Sequence, residues 1–345
     1  MGFFIGILIA VCIGSWLMTW MLRRYALSRS LMDIPNERSS HTVPTPRGGG
    51  VAIVVSFLLA VAFLWCLRVL PSGLVLSLTG AGMLVALTGF IDDHGHIPAG
   101  WRLLVHFAAA AWGLFWIGGM PSLTVFGYEL ALGWFGHLVA ALYLVWLLNL
   151  YNFMDGIDAI AGIEAITVCI GGAVLFWLAG HTDKSNLLPV LILMAATIGF
   201  LIWNFPPAKI FLGDAGSGFV GLLLGLLSIM AAHVDQALFW GWVILLGCFT
   251  VDATVTLARR VLKGKTFYEA HRSHAYQYLS RRFGAHKPVS LIFGAINIFF
   301  LLPIAAIVVT GLIDGFLGLI ITYVPLILIA IWLKAGDEAA QISNA

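Results

Sequence analysis

Eleven stretches of mostly apolar residues, separated by short polar loops, limit this chain to very few architectures. They run 3–22, 48–68, 73–91, 101–118, 134–151, 160–180, 187–204, 216–233, 237–257, 289–311 and 316–334. A helix needs about 20 such residues to cross a bilayer. Inside hydrocarbon the backbone must satisfy its own polar groups, which leaves helices or a closed barrel. No segment alternates at period two for long enough to build a barrel strand. Hydrophobic residues make up 61% of the chain and charged residues only 10%, against roughly a quarter charged in soluble domains. The expectation is an all-α integral membrane protein of about eleven transmembrane helices, forming a single polytopic membrane domain over residues 1–345.

Lysine and arginine are retained on the cytoplasmic side of a membrane. With the N-terminus outside, the loops 23–47, 92–102, 152–159, 205–215 and 258–288 and the C-terminal end fall on one side and hold 16 of the 18 basic residues. Only Arg68 and Lys184 fall on the other. A miscounted span before the last basic loop would scramble this split, so the split supports the count. The first segment has no small-residue cleavage site and runs into Arg23-Arg24, which predicts a retained span. Cys12, Cys66, Cys169 and Cys248 lie inside the spans without metal-ligand spacing and are expected to be packing residues.

Three prolines before Gly48-Gly49-Gly50 make 23–47 a structured loop rather than a helix. Residues 119–133 have glycine and proline at the edges and predict a small outside hairpin around Phe126-Gly127. The basic stretch 258–288 suits topology alone, and equally the anionic headgroups of membrane lipids or a nucleotide.

Acidic clusters sit at the ends of three apolar spans, where charge is costly and therefore functional by default. Asp92-Asp93 closes the third span. Neighbouring helical side chains point about 100° apart, so one carboxylate is free to bind metal while the other acts as base. Asn149, Asn152 and Asp155 fall at i, i+3, i+6, and Asp158 follows Gly156. If the helix persists through them, the first three share a face; amides beside carboxylates suit polar ring edges or a hydrated Mg²⁺. Gly213-Asp214 precedes Gly216-Ser217-Gly218 at the start of the eighth span. N–H groups opening a helix attract phosphate, but an aspartate there repels it unless a cation lies between. Asp214 is therefore the first choice as metal ligand. Asp252 lies within the ninth span and either pairs with Arg259 or Arg260 or serves the site. Arg272 and His274 are placed to donate to a pyrophosphate. The three clusters share one side, so the site is read as one constellation facing the cytoplasm.

Taken together, these motifs resemble the polyprenyl-phosphate N-acetylhexosamine-1-phosphate transferases. The resemblance runs from Arg38-Ser-Ser-His41 and Pro44-Thr45-Pro46-Arg47-Gly48-Gly49, through Asp92-Asp93 and NLYNFMDGID, to FLGDAGS and the last basic loop. It implies attack by undecaprenyl phosphate on the β-phosphorus of a UDP-N-acetylhexosamine, releasing UMP at the bacterial inner membrane, with no nucleic acid involved. It implies that Asp92 or Asp93 activates the lipid phosphate and that Asp214 holds Mg²⁺, with Mn²⁺ as the substitute. Asn152, Asp155 and Asp158 would line the uridine and diphosphate pocket, and Phe211 would offer its ring to the uracil. Asp155 stands with the catalytic group, and Asn149, His41 and Arg47 with the substrate-binding residues. A homodimer is compatible with all of this.

Two departures narrow the substrate. The family often carries a run of histidines in its last cytoplasmic loop, and here only His274 matches it. The muramoyl-pentapeptide branch places a lysine ahead of its Thr-Pro-Thr motif, and here Thr42-Val43 precedes Pro44. Both favour the branch that starts O-antigen and related lipopolysaccharide glycans, with GlcNAc or 6-deoxy sugars such as FucNAc or QuiNAc. The rivals fit less well. An intramembrane aspartyl protease wants Gly-x-Gly-Asp, and Phe211 replaces the first glycine. A CDP-alcohol phosphotransferase wants an arginine that the run after Asp155-Gly156 lacks. A cation-coupled transporter would place its carboxylates near the bilayer midplane.

Overall fold

The computed structural model describes residues 2–29, 31–35, 43–95, 97–265 and 271–337, and His41 of the sequence reading lies outside them. The elements are α1 (Gly2–Ser28), β1 (Met32–Asp33), β2 (Thr45–Pro46), α2 (Val51–Cys66), α3 (Ser72–His94), α4 (Ala99–Ile117), β3 (Leu123–Val125) and β4 (Tyr128–Leu130). There follow α5 (Gly133–Met154), α6 (Ile160–Leu178), α7 (Lys184–Asn204), α8 (Asp214–Val234), α9 (Gln236–Leu245) and α10 (Gly247–Leu262). The last are α11 (Ala275–Phe283), α12 (His286–Ile296), a π-helical turn Asn297–Leu301, α13 (Leu302–Val309) and α14 (Gly315–Trp332). This is an all-α integral membrane protein, and each predicted apolar stretch is occupied by helix. Among the described residues nine helices are long and apolar enough to span a bilayer, α12 running through the π turn into α13 as one of them.

Four differences from the sequence reading have physical causes. α2 is only 16 residues long because Gly48–Gly50 form a turn instead of its first helical turn. The ninth stretch is broken at Leu246–Gly247, where α9 and α10 meet at 63°. Its second half carries Asp252, Arg259 and Arg260 and turns its polar face into the protein. α1 continues to Ser28 past Arg23-Arg24, so the first part of the expected loop is helical; long cationic side chains reach out of the apolar layer while their stems stay in it. α11 replaces part of the last loop. The expected hairpin is present as β3–β4, with Phe126 and Gly127 both at positive φ, as a two-residue turn of this type requires.

α8 is the axis of the bundle. Every residue of its apolar span is buried, with α3 and α5 on either side and α2, α4 and α9 beyond. Helices approach closely where side chains are small. A Cβ on Gly89 would lie 2.5 Å from the Ala215 nitrogen, so the last turn of α3 lies against the first turn of α8. That crossing sets the position of Asp93, one helical turn beyond Gly89. At the outer faces, side chains such as Phe115, Leu328 and Trp332 stand exposed, the surface expected toward lipid.

Candidate active site

The Gly89 crossing brings two acidic motifs together. Asp93 is all but fully buried, and its carboxylate accepts the backbone N–H groups of Asp214 (3.1 Å) and Ala215 (3.3 Å), capping α8 from another helix. Arg47 reaches the same carboxylate through Nε at 3.1 Å and Nη2 at 2.5 Å. Burial alone would lower the Arg47 pKa, but Asp93, then Asp214 and Asp33, raise it, so Arg47 stays charged. Arg47 is aimed by its own segment: Pro46 pairs in β1–β2 and its carbonyl accepts the Phe211 N–H at 2.8 Å. Asp92, the adjacent residue, points elsewhere. It accepts the Ile97 N–H at 2.9 Å and pairs with Arg102, whose guanidinium also lies 3.5 Å from Asp214. The carboxylates of Asp92 and Asp214 are within hydrogen-bonding reach of each other. The two carboxylates of the pair therefore do different work, and Arg102, which the sequence reading missed, bridges Asp92 and Asp214. Its position at the start of α4, on the side assigned to all three clusters, was the available signal.

The third motif closes α5. The helix ends at Met154, and Asp155 follows with its N–H on the Asn152 carbonyl at 3.3 Å. Among the described residues the Asn152 amide and the Asp155 carboxylate have no hydrogen-bond partner. Burial, then the nearby Asp214, Asp93 and Asp158, push the Asp155 carboxyl well above the usual range. Asn149 instead turns back, its amide donating to the Val145 carbonyl at 2.7 Å and lying 3.5 Å from His106. Asp158 is pinned: it accepts the Ala208 N–H at 3.0 Å and lies 3.1 Å from His286 Nδ1. The next residue, Ala159, is left-handed at φ 67°, held there by its N–H on Asn204 at 2.9 Å. A non-glycine residue in this region costs about 1 kcal/mol or more, and the Asn204 contact offsets it.

Asp158 lines a cavity of about 580 Å³ together with Thr45, Phe211, Arg281, His286 and Lys287. Its basic wall comes from α11 and the start of α12. His274 sits inside the protein, stacked between His271 and Tyr276, with Nδ1 3.4 Å from Asp252. Burial, then His274 and Arg260, lower the His271 pKa to about 3, so this ring is neutral. Arg272 is exposed, and its carbonyl accepts from Arg281.

Residues 75–232, which hold all three acidic motifs, match the model of glycosyl transferase family 4. A Bacillus subtilis (strain 168) protein named "Probable undecaprenyl-phosphate N-acetylglucosaminyl 1-phosphate transferase" is 29% identical over 85% of this chain and 81% of its own length. Over these residues the chain is similar to the proteins of glycosyl transferase family 4. The decaprenyl-phosphate N-acetylglucosaminephosphotransferase of Mycolicibacterium smegmatis is 28% identical over 96% of this chain and 89% of its own. A phospho-N-acetylmuramoyl-pentapeptide-transferase of Streptococcus pneumoniae serotype 19F is 31% identical, over 60% of this chain and 64% of its own.

The donor set of these acidic motifs fits a divalent cation of the magnesium kind. Among the described residues no three carboxylate, imidazole or thiolate groups form a closed ligand set. Mg²⁺ commonly takes one or two carboxylates and completes its shell with water and phosphate oxygens. The Asp214 side chain is 26% exposed beside Asp92. The aspartates that raise Asp155 leave an excess of negative charge that a cation would relieve.

Proposed function

We propose that this protein transfers a sugar 1-phosphate from a UDP-N-acetylhexosamine to undecaprenyl phosphate, releasing UMP. In the step proposed, a phosphate oxygen of the lipid attacks the β-phosphorus of the donor. The bond from that phosphorus to the bridging pyrophosphate oxygen breaks, and the electron pair leaves with UMP. The carrying observation is the junction of α3, α4 and α8. One buried carboxylate there holds the start of α8, and one arginine spans the two carboxylates beside it. Phosphoryl transfer needs little covalent chemistry from a protein and a great deal of positioning and charge placement.

In this reading Asp93, already accepting four hydrogen bonds, positions Asp214. Asp92 is the carboxylate assigned to the acceptor. Arg102 exchanges it for the incoming lipid phosphate, since guanidinium pairs well with phosphate oxygens. Asp214 would hold Mg²⁺, whose chemistry there would be charge stabilisation of the pyrophosphate. Asn152 and Asp155 face the donor's diphosphate. The cavity between Phe211 and the Arg281–Lys287 corner takes the nucleoside, with Phe211 as its stacking ring.

The site faces the cytoplasm at the bacterial inner membrane, and the product starts O-antigen or a related surface glycan. The relatives named for N-acetylglucosamine align over 81–96% of this chain, the muramoyl-pentapeptide ones over 56–60%. That contrast supports an N-acetylglucosamine-like donor, with 6-deoxy N-acetylhexosamines next. A transporter reading finds no support in these carboxylates: Asp92, Asp93, Asp155 and Asp214 lie at helix ends.

The test is isotope exchange with purified protein, Mg²⁺, undecaprenyl phosphate, labelled UMP and a panel of UDP-N-acetylhexosamines. Label entering one UDP-sugar only when lipid and metal are both present is the expected result, and it names the sugar. A folded, metal-supplied protein that exchanges label with no member of the panel would overturn the reading.

A further inference from the structure

Asp252 offered two readings in the sequence, a partner for Arg259 or Arg260 or a member of the site. Its carboxylate is buried in α10 and accepts the N–H groups of Ala275 and Tyr276, each at 2.9 Å, and the Thr256 hydroxyl at 3.1 Å. Arg259 is engaged elsewhere, on the Ala335 carbonyl and Asp337. Ala275 and Tyr276 are the first two residues of α11, so a carboxylate from one helix caps the positive end of another. The cap also sets the direction of the next side chain. Tyr276, fully buried, donates its hydroxyl to the Phe153 carbonyl at 3.0 Å, one of the carbonyls that α5 leaves without an intrahelical partner. Gly156 leaves the space for that ring: a methyl there would overlap the Tyr276 hydroxyl.

We propose that Asp252 and Tyr276 form one strut that positions the Asn152–Asp155 turn, making both residues positioning residues for the donor substrate. The strut runs from the α10 carboxylate through the first turn of α11 to the last carbonyls of α5. It ends two residues from Asp155, whose carboxylate has no hydrogen-bonded partner of its own among the described residues. Without the strut, the turn carrying Asn152 and Asp155 would lose its tie to α11 and keep, among the described residues, those of Tyr151 to Ala161 and of Asp158 to Ala208. The effect on the donor rests on the transferase reading; the strut itself does not.

Three substitutions isolate it. Tyr276→Phe removes the hydroxyl and keeps the ring. Asp252→Asn keeps the shape and turns one acceptor into a donor. Ala275→Pro deletes one N–H at a first helical position, where proline is tolerated. Each is expected to raise the KM for the UDP-sugar about tenfold, leaving the KM for the lipid phosphate and the detergent-extracted Tm nearly unchanged. The double variant Asp252→Asn/Tyr276→Phe should be no worse than the poorer single one, because both act through one strut. Amide hydrogen exchange over residues 153–158 of the substrate-free protein should quicken in all three. Multiplying effects in the double variant, or equal loss for both substrates together with a lowered Tm, would overturn the strut. So would unchanged exchange over 153–158, a reading that needs no turnover. Failure of the unsubstituted protein to exchange UMP would count against the transferase reading alone.

Discussion

The two acidic regions of the site are built in opposite ways. At the α3–α8 junction the two carboxylates that end α3 already have donors: Arg47 and two backbone N–H groups on Asp93, Arg102 and the Ile97 N–H on Asp92. At the α5–α6 turn Asp158 is satisfied while Asp155 is not, and burial together with its neighbours pushes its carboxyl up. A charge matched within the protein holds geometry; one left unmatched among like charges waits for a ligand that brings cations or donors. In the transferase reading proposed above, the first region serves as framework and metal site and the second receives the substrate.

The strongest attempt to break this contrast is Asp214→Asn. It should cut Mg²⁺-dependent exchange by about 10²–10³-fold while leaving the protein folded in detergent. Full activity would remove Asp214 from the metal site. Next comes Arg47→Ala, which strips the charged donor from a carboxylate with a side chain only 2% exposed. Breaking such a pair costs about 3 kcal/mol where both partners are buried. Arg47 is about one-third exposed, so a loss nearer 2 kcal/mol is expected, read as a lower thermal midpoint. An unchanged midpoint would mean that Asp93 is held by the α8 backbone alone.

The smallest expected effect has the opposite sign. A carboxyl whose folded pKa is raised favours the folded state less as pH climbs from the ordinary carboxylate range, about 4, toward its folded value. Asp155→Asn removes that penalty. The variant should melt about 2–4 °C higher than the parent at neutral pH, and the gain should vanish below about pH 4. It should also weaken inhibition by UMP. A variant that melts lower at neutral pH would place Asp155 among the satisfied carboxylates and erase the contrast.

Much of this was legible beforehand, for particular reasons. The helices follow from apolar run length, and the β3–β4 turn from Phe126-Gly127 at the tip. The three acidic clusters stood out because charge beside so much apolar sequence is conspicuous. The bend at Leu246–Gly247 was not legible: hydropathy averaged over the stretch passes smoothly across it. Nor was the fate of Asp252, because its partners open α11, a short amphipathic helix inside what read as a basic loop. Arg102 and Tyr276 were missed because a lone arginine at a helix start and a lone tyrosine have many uses. Asn149 was grouped with its neighbours by spacing, yet its amide folds back onto Val145 of its own helix.

By itself the sequence determined the membrane class, the helix positions and the chemistry available in each motif, because burial length and the cost of charge are properties of short segments. Only the tertiary structure decided which of the similar-looking aspartates are satisfied and which still need a partner. Those decisions rest on donors far away along the chain, 46 residues from Arg47 to Asp93 and 121 from Asp93 to Asp214. Only the packing of α3 against α8 brings them within hydrogen-bond reach.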